Sequence, residues 1–210
     1  MTVTEREKML RGMLYDPSDG ELAALRLKAH RLWQEYNALD ELAPRRTEIL
    51  DELVPNRGPD VFLAGPIYID YGVFTSFGAR CYANFNFTVL DTCPVTIGDD
   101  VMFGPNCSLL TPLHPLLPRQ RNLRRRPDGS LYDLEYGAPI TVESDCWIAS
   151  NVKILGGVTI GRGSVVGAGS VVTHSIPAGV LAAGNPCRVI RPLTEEDLLE
   201  NPCYLGESML

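Results

Sequence analysis

Apolar residues recur every six positions through the second half of this chain: Ile148, Ile154, Ile160, Val166 and Val172. The same period links Ile97, Phe103 and Leu109. It also links Phe77, Ala83 and Val89, with the phase slipping by two residues between these two upstream sets. The next residue is often small (Gly161, Gly167, Ala149, Gly98). Two positions further on stands a small or turn-prone one (Gly163, Gly169, Asn151, Asp100). A period of six matches neither the helical 3.6 nor simple alternation, and a fixed period takes precedence over other readings. Each hexad reads as one short strand and a tight corner, with the apolar side chain inward and small residues at the bend. A single hexad buries almost nothing, whereas stacked turns bury a continuous core. The pattern predicts a mainly β fold, a parallel β-helix of hexapeptide repeats.

The first 57 residues have a different texture. Thr4 with Glu7 makes a capping box, and Gly12 can close the short helix that follows. Ser18 with Glu21 offers a second box ahead of Leu22, Leu25, Ala29, Leu32, Trp33 and Tyr36, which keep helical spacing. A third helix is expected from about Pro44, with "VPNRGPD" as a linker. These apolar stripes read as packing surface. Residues 1–57 thus form a helical segment, 58–190 the β-helix, and 191–210 a tail with a short helix after Thr194. One excursion, residues 111–139, interrupts the hexads with five prolines and five arginines. A loop that long within a compact fold is functional or disordered.

Composition narrows the function. The 210 residues are 45% hydrophobic, enough for one domain with an appendage, and the net charge of −7 argues against a nucleic-acid binder. Six cysteines occur without a CxxC pair, so they read as reduced thiols rather than a disulfide frame or a zinc site. The charged N-terminus and the absence of a long apolar run argue against a signal peptide and a membrane span. The expected setting is the cytoplasm.

Only three histidines are present. His30 falls in the helical pattern and His174 at the end of the last regular hexads. His114 opens the excursion, in "TPLHPL", between prolines that limit its backbone. A solenoid wall has few pockets, so a site should form where a loop leaves the wall or two walls meet.

Two longer runs are specific: "YIDYGVFTSFGARCYANFNFTVLDTCPVTIGDDVMFGPN" and "LEYGAPITVESDCWIASNVKILGGVTIG". With the leader "EKMLRGMLYDPSD", the pair Tyr36–Asn37, the "HP" at His114 and "AAGNPCRVIR", they resemble the maltose and galactoside O-acetyltransferases, a branch of the hexapeptide-repeat acyltransferases. The resemblance spans residues 5 to 192. It implies a left-handed parallel β-helix assembled as a homotrimer with active sites between subunits. It also implies acetyl transfer from acetyl-CoA to a sugar hydroxyl in a ternary complex, without a metal.

By that resemblance His114 is the catalytic general base, and a neutral imidazole suits removal of a hydroxyl proton. Ser150 matches the position whose backbone N–H steadies the oxyanion. Asp70, Asn84 and Asp91 match sugar-facing positions, and Glu135 lies where the excursion returns to the cleft. Carboxylates and amides suit paired hydroxyls; the plainer alternative is solvent-facing turn residues. Trp147, Ala149, Ser150, Ala168, Thr173, His174, Arg188 and Arg191 match positions along the CoA groove, the arginines as phosphate partners. Three departures stand out. "WIA" replaces "WIG", so the Ala149 methyl narrows the pantetheine path. His174 replaces a common lysine. Pro17 falls where the galactoside branch has a sugar-binding aspartate, with Asp16 adjacent.

Other readings remain at this level. A superfamily member could acetylate an antibiotic or another non-sugar hydroxyl, which an acceptor panel would separate. A metal-dependent β-helix hydratase needs clustered histidine ligands, and these three are far apart in sequence. A non-enzymatic trimeric solenoid would leave the His-Pro excursion unexplained.

Overall fold

The computed structural model describes residues 3–199. Residues 200–210 of the C-terminal tail expected from sequence, Cys203 among them, lie outside the described residues. Three flat parallel faces wind around one apolar core. The first face stacks Asn56–Arg57, Thr75–Phe77, Val95–Ile97, Ile140–Val142 and Thr159–Ile160. The second stacks Phe62–Leu63, Tyr82–Ala83, Met102–Phe103, Trp147–Ile148, Val165–Val166 and Val180–Ala183. The third stacks Ile67–Ile69, Phe87–Leu90, Ser108–Leu110, Lys153–Leu155 and Val171–Val172. Consecutive strands step from one face to the next, so each pass through the three makes one turn of a parallel β-solenoid.

The hexad positions do what their spacing predicts. Ile148, Ile154, Ile160, Val166 and Val172 are completely buried and form a ladder up the axis. Burying each such side chain stabilises the stack by about 1.5–3 kcal/mol. The turn-prone positions adopt the left-handed backbone that glycine, asparagine and aspartate tolerate: Asp100, Asn151, Gly163 and Gly169 all have φ between 56° and 73°. Gly161 has a different reason to be small. A β-carbon there would stand 2.4 Å from the Ala178 amide nitrogen of the next turn. At this corner the six-residue repeat selects for close stacking of turns.

The leader plugs the open end of the solenoid. Helix α1 spans Glu5–Leu10 and is closed by the expected Thr4–Glu7 box. Helix α2 spans Gly20–Ala38, but its cap is Asp19, which accepts from the Glu21 and Leu22 amides. The expected Ser18–Glu21 box is therefore corrected: Ser18 turns away to hydrogen-bond Asp16. Helix α3 spans Pro44–Leu53. Asn37 explains its place beside Tyr36. Its amide donates to the Ile67 carbonyl and accepts from the Ile67 N–H, both at 2.8 Å, standing in for a missing neighbouring strand. Arg46, buried beneath Tyr36, donates to the Ala64 carbonyl. The sequence boundary shifts slightly, because the presumed linker already contains the first strand, Asn56–Arg57. At the far end, Arg188–Pro192 folds back antiparallel on Val180–Ala183, and the short helix after Thr194 is a single 3₁₀ turn, Glu195–Asp197.

Candidate active site

Every break in the hexad period falls on one edge of the prism, where the third face turns into the first. Ile69 and Phe77 stand eight positions apart, as do Val89 and Ile97, and Leu109 and Val142 are separated by the whole excursion. The extra residues push outward there and build a cleft of ≈ 540 Å³. His114, Asp70 and Glu135, three of the sequence candidates, line it. Tyr15, Arg26, Tyr71 and Thr92 line it too and were missed. They were illegible because the leader's docking and the pointing direction of corner residues are tertiary properties.

Asp91 is corrected. It is wholly buried, one carboxylate oxygen accepting from the Tyr71 N–H at 2.8 Å and the other from the Thr75 hydroxyl at 2.9 Å. Burial pushes its carboxyl up to about 6, against the pull of those hydrogen bonds. It is neither a sugar contact nor a solvent-facing turn residue; it pins the corner from inside, and its neighbour Thr92 faces the cleft. Asp70 does reach the cleft, 3.5 Å from the His30 imidazole. Burial raises its carboxyl and His30 opposes that rise.

The excursion is ordered by pairing. Pro112–Leu113 runs antiparallel to Tyr136–Gly137, with Leu113 opposite Tyr136. The next step of this register sets His114 opposite Glu135. Beyond Glu135 lies the leader, bridged antiparallel through Tyr15. The tip carries a second small hairpin, Arg124–Arg125 against Leu131–Tyr132, after one helical turn at Pro118–Arg121 (α4). Arg126 stacks on Tyr132 and pairs with Asp16, also reaching Ser18 at 3.0 Å. Asp16 is thereby corrected as well: it clasps the excursion instead of lining the cleft. Burial works against ionisation of Asp16, but the Ser18 hydrogen bonds and the Arg126 guanidinium outweigh it and hold the carboxyl below its ordinary value.

His114 itself is exposed at the cleft mouth. A ring nitrogen of His114, a carboxylate oxygen of Asp133 and one of Glu135 all lie within 4.8 Å of one another. An imidazole flanked by carboxylates can take up a proton and have the resulting cation stabilised. The trio also has the donor types of a divalent-cation site. A search for clustered histidines could not have found it, since these groups meet only through the hairpin.

The remaining candidates lie elsewhere on the chain. Asn84, Ala149, Ser150 and Ala168 occupy corners of the edge between the second and third faces, the Gly104 corner lying between Asn84 and Ala149, with Trp147 exposed on the second face beside them. Thr173 and His174 lie on the same edge as the cleft but at its far end, hydrogen-bonded to each other at 2.9 Å. His174 and Arg188 border a second hollow of ≈ 280 Å³. Arg191 is held by Asp197 through two contacts of 2.8 and 2.6 Å. One chain therefore brings together His114, Asp70 and Glu135, and keeps Asn84 and Ser150 on a different edge.

Comparison with known proteins agrees with this architecture. Residues 8–58 match the model for the maltose acetyltransferase hexapeptide capping motif, and residues 139–174 that for the bacterial transferase hexapeptide of six repeats. The chain is 37% identical to the galactoside O-acetyltransferase of Escherichia coli, over 94% of this chain and 93% of that protein. The chain belongs to the maltose and galactoside O-acetyltransferase family. It is 40% identical to nodulation protein L of Rhizobium meliloti, over 90% of this chain and 99% of that one. Among solved structures, a maltose O-acetyltransferase from Clostridium difficile superposes with a TM-score of 0.82 at 38% identity, covering 91% of this chain and 98% of its own. A galactoside acetyltransferase in complex with coenzyme A superposes at 0.83 with 35% identity, covering 94% of each chain. This family member is an acetyl-CoA-dependent O-acetyltransferase.

Proposed function

We propose that the cleft transfers the acetyl group of acetyl-CoA directly to a hydroxyl of a sugar or glycoside, with His114 as general base. The observation that carries this is an exposed imidazole at the cleft mouth with two carboxylates within 4.8 Å. The acceptor O–H bond breaks as its proton passes to the imidazole, and the oxygen attacks the thioester carbonyl. The tetrahedral intermediate collapses, the C–S bond breaks, and the CoA sulfur takes the proton back from the imidazolium. Asp70 and Thr92 suit acceptor hydroxyls, because a carboxylate accepts and a hydroxyl does both.

A homotrimer completes the site in this reading. Phe62, Tyr82, Met102 and Trp147 stand in register on the outside of the second face, each more than a third exposed. Such an apolar stripe suits burial against another copy. That copy would bring its Asn84 and the Ser150 N–H to this chain's His114, the N–H as oxyanion donor. Trp147, Ala149, Ala168, Thr173, His174 and Arg188 would line the CoA path. Arg191, already paired with Asp197, contributes less to phosphate binding than Arg188.

A thiol relay through an acetylated cysteine is the competing chemistry. Cys81, Cys93, Cys107, Cys146 and Cys187 are all buried, and burial pushes each thiol up, away from the reactive thiolate. Direct transfer is favoured. His114→Ala should lower kcat by about 10²–10⁴-fold while acetyl-CoA still binds. Near-parental turnover in the folded variant would sink the mechanism. A panel of glycosides and hydroxylated antibiotics with thiol detection identifies the acceptor class.

A further inference from the structure

Glu135 occupies the middle of a three-segment ribbon, with His114 on one side and Tyr15 on the other. On the Tyr15 side the fixation is threefold. The Tyr15 N–H donates to the Glu135 carbonyl at 2.9 Å, the Glu135 N–H donates to the Tyr15 carbonyl at 3.1 Å, and the Tyr15 hydroxyl donates to Glu135 Oε2 at 2.9 Å. On the other side, the Glu135 carboxylate and a His114 ring nitrogen lie within 4.8 Å. Building on the general-base reading of His114, we propose that Tyr15 is a positioning residue of the reaction: its hydroxyl holds the Glu135 carboxylate toward His114.

The tyrosine is built for that task. Its ring is 1% exposed and packs with Met9, Leu22 and Tyr71, which fix where the phenol emerges. Burial first, and the neighbouring Glu135 charge second, push the phenol well above its ordinary value, so it stays protonated and keeps the hydrogen it donates to the carboxylate. A ring needed only to fill that core could be phenylalanine. The hydroxyl instead leaves the apolar cluster at the one point where a cleft carboxylate meets it. A hydrogen bond to Oε2 anchors one carboxylate oxygen and so fixes the orientation of the whole group beside the imidazole. When His114 takes the acceptor proton it becomes a cation, and a fixed carboxylate stabilises that cation without first reorganising. The leader, whose helices plug the solenoid, thus reaches the chemistry through a side chain of the connection between α1 and α2. Arg26 adds to the same wall, donating to the Tyr71 hydroxyl at 3.2 Å.

The test is a double-mutant cycle on kcat and both Michaelis constants in the full-length protein. Tyr15→Phe keeps the ring and deletes the hydroxyl. It should lower kcat about tenfold, the worth of one hydrogen bond to a charged group, and leave KM for acetyl-CoA unchanged. Glu135→Gln, which keeps the shape and the tyrosine, should lower kcat about 10- to 100-fold. Adding Tyr15→Phe to Glu135→Gln, or to His114→Ala, should then cost less than about twofold, because the interaction it served is already gone. If Tyr15→Phe costs the same factor in the Glu135→Gln background as in the parent, the tyrosine acts through packing alone and the proposal falls. Parental kcat in Tyr15→Phe, or a rise in acetyl-CoA KM without a fall in kcat, overturns it equally. The two readings separate at His114→Ala. Parental turnover there removes the base itself, whereas a dead His114→Ala protein with an additive Tyr15–Glu135 cycle removes only the positioning role.

Discussion

A carboxylate at position 91 sits where no water reaches it, and its cost depends on pH. In the folded chain the Asp91 carboxyl is pushed up to about 6, whereas an unfolded chain releases the proton near 3.8. Between those values the folded state binds more protons than the unfolded one. Stability therefore falls as pH rises from about 4 to about 6, and stays lower above it. Asp91→Asn keeps an acceptor for the Tyr71 N–H and removes the charge. It should flatten that stretch of the stability profile and raise stability at pH 7 by about 1–3 kcal/mol. Urea unfolding at pH 4 and pH 7 checks this; a variant that keeps the parental difference contradicts the assignment. Position 91 also marks a limit of reading residues from a motif. Asp91 and Thr92 are adjacent in a corner that carries two extra residues, and alternation cannot say which of them faces out.

The excursion shows the same limit one level up. Proline and arginine content flagged it, and His114 at its start was legible, but its closure over the cleft depends on partners over a hundred residues away. Arg126 meets Asp16, and Gly12 packs so close to Gly137 that a β-carbon would stand 2.7 Å from the Gly137 carbonyl oxygen. The depressed Asp16 carboxyl keeps the Arg126 pair intact at neutral pH, and the pair is lost as pH falls through that lowered value. Arg126→Ala should raise the acceptor KM by about 3- to 30-fold and leave acetyl-CoA KM unchanged, since in the proposed function the clasp borders the acceptor side of the cleft. Steady-state kinetics with each substrate varied in turn reads the difference. Equal effects on both constants would mean that the clasp holds the whole cleft rather than its acceptor half.

At the scale of the molecule, the prism keeps apart residues that the proposed reaction would bring together. A triangular solenoid has three edges, and His114 and Ser150 lie on different ones. In the proposed trimer an active site draws His114 from one copy and Asn84 from another. His114→Ala and Asn84→Ala chains should each be nearly inactive alone. Co-assembled, they should recover activity that neither parent has, because some interfaces pair an intact His114 with an intact Asn84. Mixing after partial dissociation, with thiol release as the readout, measures it. Recovery no greater than the sum of the two parents would place both residues in one copy's site.

The amino-acid order by itself determined the solenoid, its inward ladder and the left-handed corners. Those are short-range consequences of a six-residue repeat, in which burial and backbone sterics act on near neighbours. It also marked the edge that carries the cleft, since every departure from the period falls there. Tertiary structure alone decided that Asp91 turns into the core while Thr92 lines the cleft, that Asp16 is a clasp, and that Tyr15, Glu135 and His114 form one line. Each of those outcomes depends on groups from separate segments meeting after the turns have stacked. Side-chain contacts over such distances follow from packing geometry, and no local period encodes them.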